Sequence, residues 1–470
     1  HYFYFLSWYF VLTKDIPQAA ASAKESLRLI IAAGLPVSAS LIRLALALVL
    51  YQSGDREEAC RHLETAKGIS ARTGSTYCAY LCDMTGAYFS FSSPLHATFV
   101  GSASAPTKAA GEDTRPAEEG LAFLRKALAA GRQKGYATMV HFWRPDIMGY
   151  LCMNALESGI EVEYVQGLIR KLRLNPPVPG YEIPTFFPFA KIPPSPPFYK
   201  GGLGGILTDR WPWPVKISTL GRFELLIDGK MVAASGKARK KPLLLLKALV
   251  ALGTKGVREE DLANILWPDA EGDAAHNATK TTIARLRQMI ANDAAIQVRE
   301  GRISLDSRSC WVDIRAFEQL CRQAGQMLED RGSGLALRGT AENILLRRIA
   351  AKAFALYGGP FLHAETDQNW TVTVRERLRS RYLRLISGMA RLSEQTGNSE
   401  EAADYYLKGL ETEPLAEEFH QGLMAACIRL GRQAEALTAY KRCKDILQAE
   451  LGIAPSAKTD ALRAKILKAK

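Results

Sequence analysis

Two hydrophobic periods alternate along the chain. From residue 1 to about 174, apolar positions recur at i, i+3, i+4 and i+7, as at 27–31, 41–50 and 121–128. That spacing lays one face of an α-helix against a core. The same period returns at about Trp311 and runs to the end, interrupted by glycines at 332–334 and 358–359. The segment between them is mixed. Residues 215–232 hold β-rich runs around Asp228 and Gly229, a pair that favours a two-residue hairpin turn. Pro242 opens an apolar helix over 243–252, since its fixed φ suits a first helical position. A second helix is expected over 258–266, stopped by Trp267 and Pro268, and a third over about 274–291. Two short strands, 296–299 and 302–305, flank Glu300 and Gly301. Strands, three helices and a hairpin, in that order, are the parts of a winged helix.

A short signature repeats inside the helical stretches. A Gly is followed five residues later by Ala at Gly54 and Ala59, Gly397 and Ala402, and Gly431 and Ala436, with a looser copy at Asp15 and Ala20. Gly397 and Gly431 are 34 residues apart, the tetratricopeptide period, and Tyr406 and Tyr440 fall at one offset. The glycine is expected to end a helix in the left-handed conformation, and the small Ala to let the next helix pack closely. From 175 to about 212 the composition changes to Pro, Gly and exposed aromatics, densest at 193–205. Pro removes backbone donors and Gly raises chain entropy, so this stretch reads as a linker or insertion. The division is therefore 1–174, a helical-repeat sensor or interaction region; 175–212, the linker; 213–308, the winged helix; and 309–470, a second helical region.

Composition adds a direction but no identity. Sixty-one Lys and Arg against 48 Asp and Glu give a net charge of +13, which favours polyanion partners without choosing among them. The eight Cys include no tight CxxC pair; Cys78 and Cys82 share a helical face but lack a paired His. They read as reduced, buried thiols of a cytoplasmic protein, and no metal site is expected. The apolar run at Tyr2–Leu12 is too short to span a bilayer and has no basic flank, so no membrane partner is expected. It reads as the inner face of a helix whose upstream neighbour lies outside the sequence; with His1 in place of Met, the chain is expected to be the C-terminal part of a longer protein. Catalytic groupings are thin: His141 near Trp143, and His363 near Glu365 and Asp367, the latter a loop cap with no nucleophile tied to it. No enzyme is expected.

The third helix of the mixed segment carries the functional reading. With Ala278, Ile283, Leu286 and Ile290 turned inward, His276, Asn277, Lys280, Thr281, Thr282, Ala284, Arg285 and Arg287 populate the other faces. A recognition helix needs this division, because a small polar and cationic face must enter a major groove about 12 Å wide. Asn277 is suited to adenine, Arg285 to guanine, and the threonine methyls to thymine methyls, while Lys280 and Arg287 suit phosphates. Lys237, Arg239, Lys240 and Lys241 form a basic cluster ahead of the first helix, and Arg299 and Arg302 sit at the wing. Over 215–308 there are 16 basic and 11 acidic residues. The excess is modest; the placement of the cations says more than their sum.

These residues also carry a resemblance. LGRFE at 220–224, RKKPL at 239–243, DLANILWPD at 261–269 and ARLR at 284–287 resemble the OmpR-type winged helix of the Streptomyces antibiotic regulatory protein (SARP) family. PFL at 360–362, Trp370, RERLR at 375–379, EPLAEEFH at 413–420, EALTAY at 435–440 and ELGIAPS at 450–456 resemble the bacterial transcriptional activator domain that follows it. Upstream, FWRP at 142–145, ALESGIEVEYV at 155–165 and WPWP at 211–214 are similar to large ATP-dependent activators of that group. No P-loop motif occurs, so no cofactor is expected in this chain, and the resemblance leaves ATP to a longer parent protein, if one binds it. The resemblance implies a mainly α chain, with tetratricopeptide-like helical repeats flanking an OmpR-type winged helix-turn-helix (α+β) domain. It implies a sequence-specific activator on double-stranded promoter DNA, often a homodimer on direct repeats, that recruits RNA polymerase. It also implies a protein or small-molecule effector at the helical repeats. The alternative is a helical-repeat protein-interaction scaffold without sequence-specific DNA binding.

Overall fold

The computed structural model describes residues 2–13, 15–92, 115–137, 144–177, 209–233, 239–253, 256–270, 272–332, 340–365 and 368–468. Most of the linker, Phe142 and Trp143, His141, Lys237 and Asp367 lie outside these residues. The chain divides into two compact units, the first built chiefly from His1–Val215 and the second from Lys216–Asp306, Val312–Arg338 and Glu342–Lys470.

The first unit is helical: α1 (Tyr2–Leu12), α2 (Ile16–Ala32), α3 (Pro36–Ser53), α4 (Arg56–Thr73), α5 (Thr76–Phe91), α6 (Arg115–Lys134), α7 (Pro145–Glu157) and α8 (Val162–Leu172). Consecutive helices pack on one another, α1 on α2, α3 on α4 and α5 on α6. The repeat signature works as its residue types dictate. Gly54 ends α3 at φ 92°, a conformation that a Cβ makes costly. Asp55 then caps α4 by accepting from Glu58 N at 3.2 Å. Ala59 is wholly buried where the helices meet. At the looser copy, Asp15 accepts from Gln18 N at 3.2 Å, and the buried alanine is Ala19, with Ala20 only part-covered. In α1, Tyr2, Phe5 and Tyr9 are exposed, while Tyr4, Trp8 and Phe10 pack on a cluster of Val11, Ile16, Ala19, Ala45 and Val49. Among the described residues α3 alone is long and apolar enough to cross a bilayer, and 67% of its apolar window is buried inside the unit. Beyond the linker, Trp211 and Trp213 are buried, and Arg210 donates from Nη1 to Leu156 O at 3.1 Å, which ties 209–213 to the end of α7.

The second unit holds the mixed segment and the C-terminal helices together. Strands β1 (Val215–Ser218), β2 (Glu224–Ile227), β3 (Lys230–Met231) and β7 (Cys310–Val312) form a sheet in the order β3-β2-β1-β7. Asp228 and Gly229 turn the β2–β3 hairpin with positive φ, 47° and 78°, and pair Ile227 with Lys230. Three helices follow, α9 (Lys240–Leu252), α10 (Glu259–Leu266) and α11 (Gly272–Ile290). Between and after them, β4 (Val257–Arg258), β5 (Ile296–Arg299) and β6 (Arg302–Leu305) make a second sheet in the order β4-β6-β5. Leu245, Leu246, Leu249, Leu262, Leu266, Leu286 and Ile303 are its buried core; burying each is worth roughly 1.5–3 kcal/mol.

The sequence reading ran helix onward from Trp311, but residues 310–312 form β7. Three residues are too few to show a period, and what makes them a strand is the free edge of β1 beside them. The remaining helices are α12 (Asp313–Gly332), α13 (Thr340–Leu356), α14 (Asn369–Gln395), α15 (Ser399–Thr412), α16 (Glu417–Arg429), α17 (Gln433–Leu451) and α18 (Ala457–Lys468). The repeat signature returns: Gly397 and Gly431 have φ 78° and 72°, and Ala402 and Ala436 are fully buried. The fold is mainly α with tetratricopeptide-like repeats and small sheets, as expected.

Candidate nucleic-acid interface

The turn between α10 and α11 is set by Trp267 and Pro268. A residue before Pro is driven out of the helical region, and Trp267 sits at φ −138°, ψ 63°. Lys241 braces this corner. Its Nζ donates to Leu266 O, one of the open carbonyls at the end of α10, and lies 4.2 Å over the Trp267 ring. Lys241 was expected in a basic cluster for DNA; the structure folds it half-buried against its own domain instead.

Along α11 the two faces separate cleanly. Ala275, Thr279, Thr282, Ile283, Leu286 and Ile290 are buried; Ala278, expected inward, is half-buried. Thr282 was expected on the contact face. It is 3% exposed, and its hydroxyl donates to Ala278 O at 2.7 Å, so neither its methyl nor its hydroxyl reaches outward. One residue in a helix shifts the bearing by about 100°, and that step separates Thr281 from Thr282. Arg287 is also corrected: its Nη2 donates to Ile296 O at 3.1 Å, pinning α11 to β5. The exposed stripe is His276, Asn277, Lys280, Thr281, Ala284, Arg285 and Gln288. Gln288 was missed, although it follows Ala284 and Arg285 at the helical spacing and the sequence carries that signal. Thr281 returns its hydroxyl to Asn277 O at 2.9 Å and remains exposed. His276 Nδ1 lies 3.1 Å from Glu259 Oε1 and links the two helices of the motif. Among the described residues, no carboxylate pairs with Lys280, Arg285 or Arg299.

The wing is the β5–β6 hairpin. Glu300 and Gly301 turn it with φ 51° and 69°, and Arg299 pairs across from Arg302. Arg299 is exposed, while Arg302 donates from Nη1 to Gly256 O at 3.1 Å and remains at the surface. Glu300, at the tip, opposes the two cations. Ahead of α9, Arg239 donates to Ala233 O at 3.1 Å, and Lys240 is exposed.

A joint fastens this domain to the C-terminal helices, and sequence reasoning missed it. Asp313, at the start of α12, is 3% exposed. Its carboxylate accepts from Leu220 N, Thr219 Oγ1 and Ile314 N, each at 2.7 Å, and from Thr219 N. Burial pushes the Asp313 carboxyl above its usual range, and these donors pull it back toward ionisation. Leu362 N donates to Thr219 O at 2.8 Å, and Gly221 N to Pro360 O at 3.1 Å. Gly221 has φ 89°, and a Cβ there would lie 2.7 Å from Gly358 O. Arg375 donates to the carbonyls of Phe361, Leu362 and Glu365 at 2.6–2.9 Å. Glu365 in turn pairs with Lys247 of α9, whose Nζ lies 4.6 Å over the Phe223 ring. The motifs at 220–224, 360–362 and 375–379, distant in sequence, meet at this joint. Glu365 is thus an interdomain ion-pair partner.

Residues 312–467 match the family model described as "Bacterial transcriptional activator domain". The chain is 25% identical over 241 residues to "Regulatory protein AfsR" of Streptomyces griseus, covering 51% of this chain and 23% of that protein. It is 26% identical over 264 residues to the protein of the same name from Streptomyces coelicolor, covering 54% of this chain and 24% of that protein. The chain thus spans about a quarter of the length of these curated relatives. Among solved structures, "Mycobacterium tuberculosis EmbR in complex with low affinity phosphopeptide" is 20% identical, with a TM-score of 0.44, covering 55% of this chain and 66% of that one. Residues 312–467 thus carry a bacterial transcriptional activator domain, and the chain is similar to transcription regulators of the SARP type.

Proposed function

We propose that this chain is a sequence-specific DNA-binding transcription regulator of the activator kind. The observation that carries the reading is the exposed stripe of α11, where Asn277, Lys280, Thr281, Arg285 and Gln288 stand clear of their own domain on a helix anchored by Ile283, Leu286 and the Arg287 tether. α11 enters the major groove, Asn277 and Arg285 read base edges, and Lys280, Arg299 and Lys240 meet phosphates. The activator domain contacts RNA polymerase or a second copy on direct repeats, and the N-terminal repeats receive a protein or small-molecule effector. The chain works in the cytoplasm, on the nucleoid.

Lys280→Ala with Arg285→Ala should abolish retardation of promoter fragments recovered by genome-wide binding. Thr282→Val should leave it unchanged, because that side chain faces the core. Retention of binding by the double variant would sink the assignment of α11. The scaffold reading draws on Glu300 at the wing tip and on the cations already tied down. Salt separates the two: the three named phosphate contacts predict a loss of roughly 40-fold for each bound copy between 50 and 200 mM salt, and a scaffold predicts a flat response. Lys241→Ala should leave the salt slope unchanged, whereas Lys280→Ala should lower it by about one unit.

A further inference from the structure

His276 stands on the exposed stripe of α11, yet one edge of its ring is engaged. Its Nδ1 lies 3.1 Å from Glu259 Oε1, with 46% of the His276 side chain exposed and 18% of Glu259. That carboxylate oxygen is closed off from solvent, and among the described residues His276 is its one ion-pair neighbour. Nε2, the other ring nitrogen, has no partner among the described residues. Glu259 is also fixed through its backbone. Its N donates to Gly301 O at 3.1 Å, and Gly256 O, three residues earlier, accepts from Arg302 Nη1 at 3.1 Å. One residue therefore joins the wing turn, the start of α10 and the recognition helix.

The chemistry of this pair decides the state of the ring. A buried carboxylate oxygen without a donor is destabilising, so the proton of a neutral ring sits on Nδ1. Nε2 is then a bare acceptor. A DNA phosphate is an anion that offers only acceptor oxygens, so it has nothing to receive from that nitrogen. The opposite neutral tautomer would serve the phosphate and leave Glu259 Oε1 facing a lone pair. A proton on both nitrogens resolves the conflict, with Nδ1–H for Glu259 and Nε2–H for the phosphate. The surrounding charges leave this pairing intact. Asp273 and Lys280 stand about one turn away on α11, and Arg258 and Glu260 flank Glu259; all four are exposed. On the wing, Glu300 is exposed and Arg302 is bound to Gly256 O. On α9, Lys240 is exposed, Lys241 is held at Leu266 O and Lys247 at Glu365. Asp293 lies in the short turn beyond the far end of α11.

Building on the reading of α11 as a recognition helix, we propose that His276 is a further phosphate contact, bound to DNA as the imidazolium and set in place by Glu259. Glu259 is a positioning residue and does not itself touch DNA. DNA binding thereby takes up a proton at His276. The complex holds more protons than the free protein, so affinity rises as pH falls, by at most about tenfold per pH unit for each bound copy.

The test measures Kd of the full chain for a promoter fragment recovered by genome-wide binding, at fixed ionic strength between pH 8 and pH 6. The parent protein should gain roughly fivefold in affinity over that range. His276→Gln should lose the gain. His276→Arg carries its cation at every pH, so its profile should be flat and its binding at pH 8 tighter than the parent's. Glu259→Gln should also flatten the profile, since the Gln amide donates to Nδ1 and leaves the proton of the neutral ring on Nε2. A merely structural Glu259 would change affinity by one factor at every pH. Circular dichroism confirms the helices of each variant, and the two His276 variants carry the test if Glu259→Gln unfolds. A flat parent profile overturns the proposal, as does an undiminished gain in His276→Gln or a Glu259→Gln profile parallel to the parent's. In each of these cases the recognition reading stands as long as Lys280→Ala with Arg285→Ala abolishes binding. A parent protein that binds no DNA at any pH overturns both together.

Discussion

The repeat regions at the two ends of the chain share a packing code and differ in what that code supports. At Gly54 and at Gly431 the chain leaves one helix in the left-handed conformation, and a buried alanine, Ala59 or Ala436, lets the next helix close on it. Around the first of these, the neighbouring helices bury aromatics, with Tyr51 stacked on Phe89 at 4.0 Å between ring centres. The C-terminal repeats follow two helices bolted to the winged domain, α12 through Asp313 and α14 through Arg375, and α14 carries Arg384 and Arg391 at the surface. The contrast teaches that a local repeat signature specifies how helices stack and leaves surface chemistry free to vary.

The largest expected effect lies at the joint. Asp313→Ala leaves the buried donors of Thr219 and Leu220 without an acceptor, each worth about 1–3 kcal/mol. Urea unfolding should show a loss of about 3 kcal/mol or more for the second unit, with DNA affinity falling as the domain loosens. Asp55→Ala, which removes an exposed cap from the N-terminal repeats, should cost only about 1 kcal/mol. Equal losses at the two sites would erase the distinction between joint and cap.

Overpacking tests the shared code directly. Ala59→Leu and Ala436→Leu should each destabilise by about 1–3 kcal/mol, with similar values in the two regions. A large cost at one site and none at the other would show that the two signatures are coincidental rather than equivalent.

The smallest effect concerns pH. His420 is 1% exposed, and burial holds its imidazole below the usual value. Its Nε2 donates to Pro414 O at 3.0 Å. With the folded value depressed, the unfolded chain takes up the proton first as pH falls. Stability should therefore be constant above about pH 6.5 and decline below it. Thermal melts of His420→Gln should show a shallower decline between pH 6.5 and 5 than the parent protein.

Much of the architecture could be read from residue order, because its signals are local. Pro242 at a helix start, the paired turns at Asp228 and Glu300, and the glycine-to-alanine spacing each act within a few residues, where backbone sterics decide. The amphipathic split of α11 was legible for the same reason: helical geometry alone puts Ile283, Leu286 and Ile290 on one side and Asn277, Thr281 and Arg285 on another. The tertiary arrangement settled which polar groups were left over for a partner. Thr282, Arg287 and Lys241 look as available in sequence as their neighbours, yet Thr282 is turned against the core, Arg287 is drawn to Ile296 O on the wing strand, and Lys241 is drawn to Leu266 O and the Trp267 ring. The joint around Asp313 depends on segments about 90 to 140 residues apart in the chain, and only packing makes them neighbours. A cation's availability depends on every group within reach of it, and reach is a property of the folded chain.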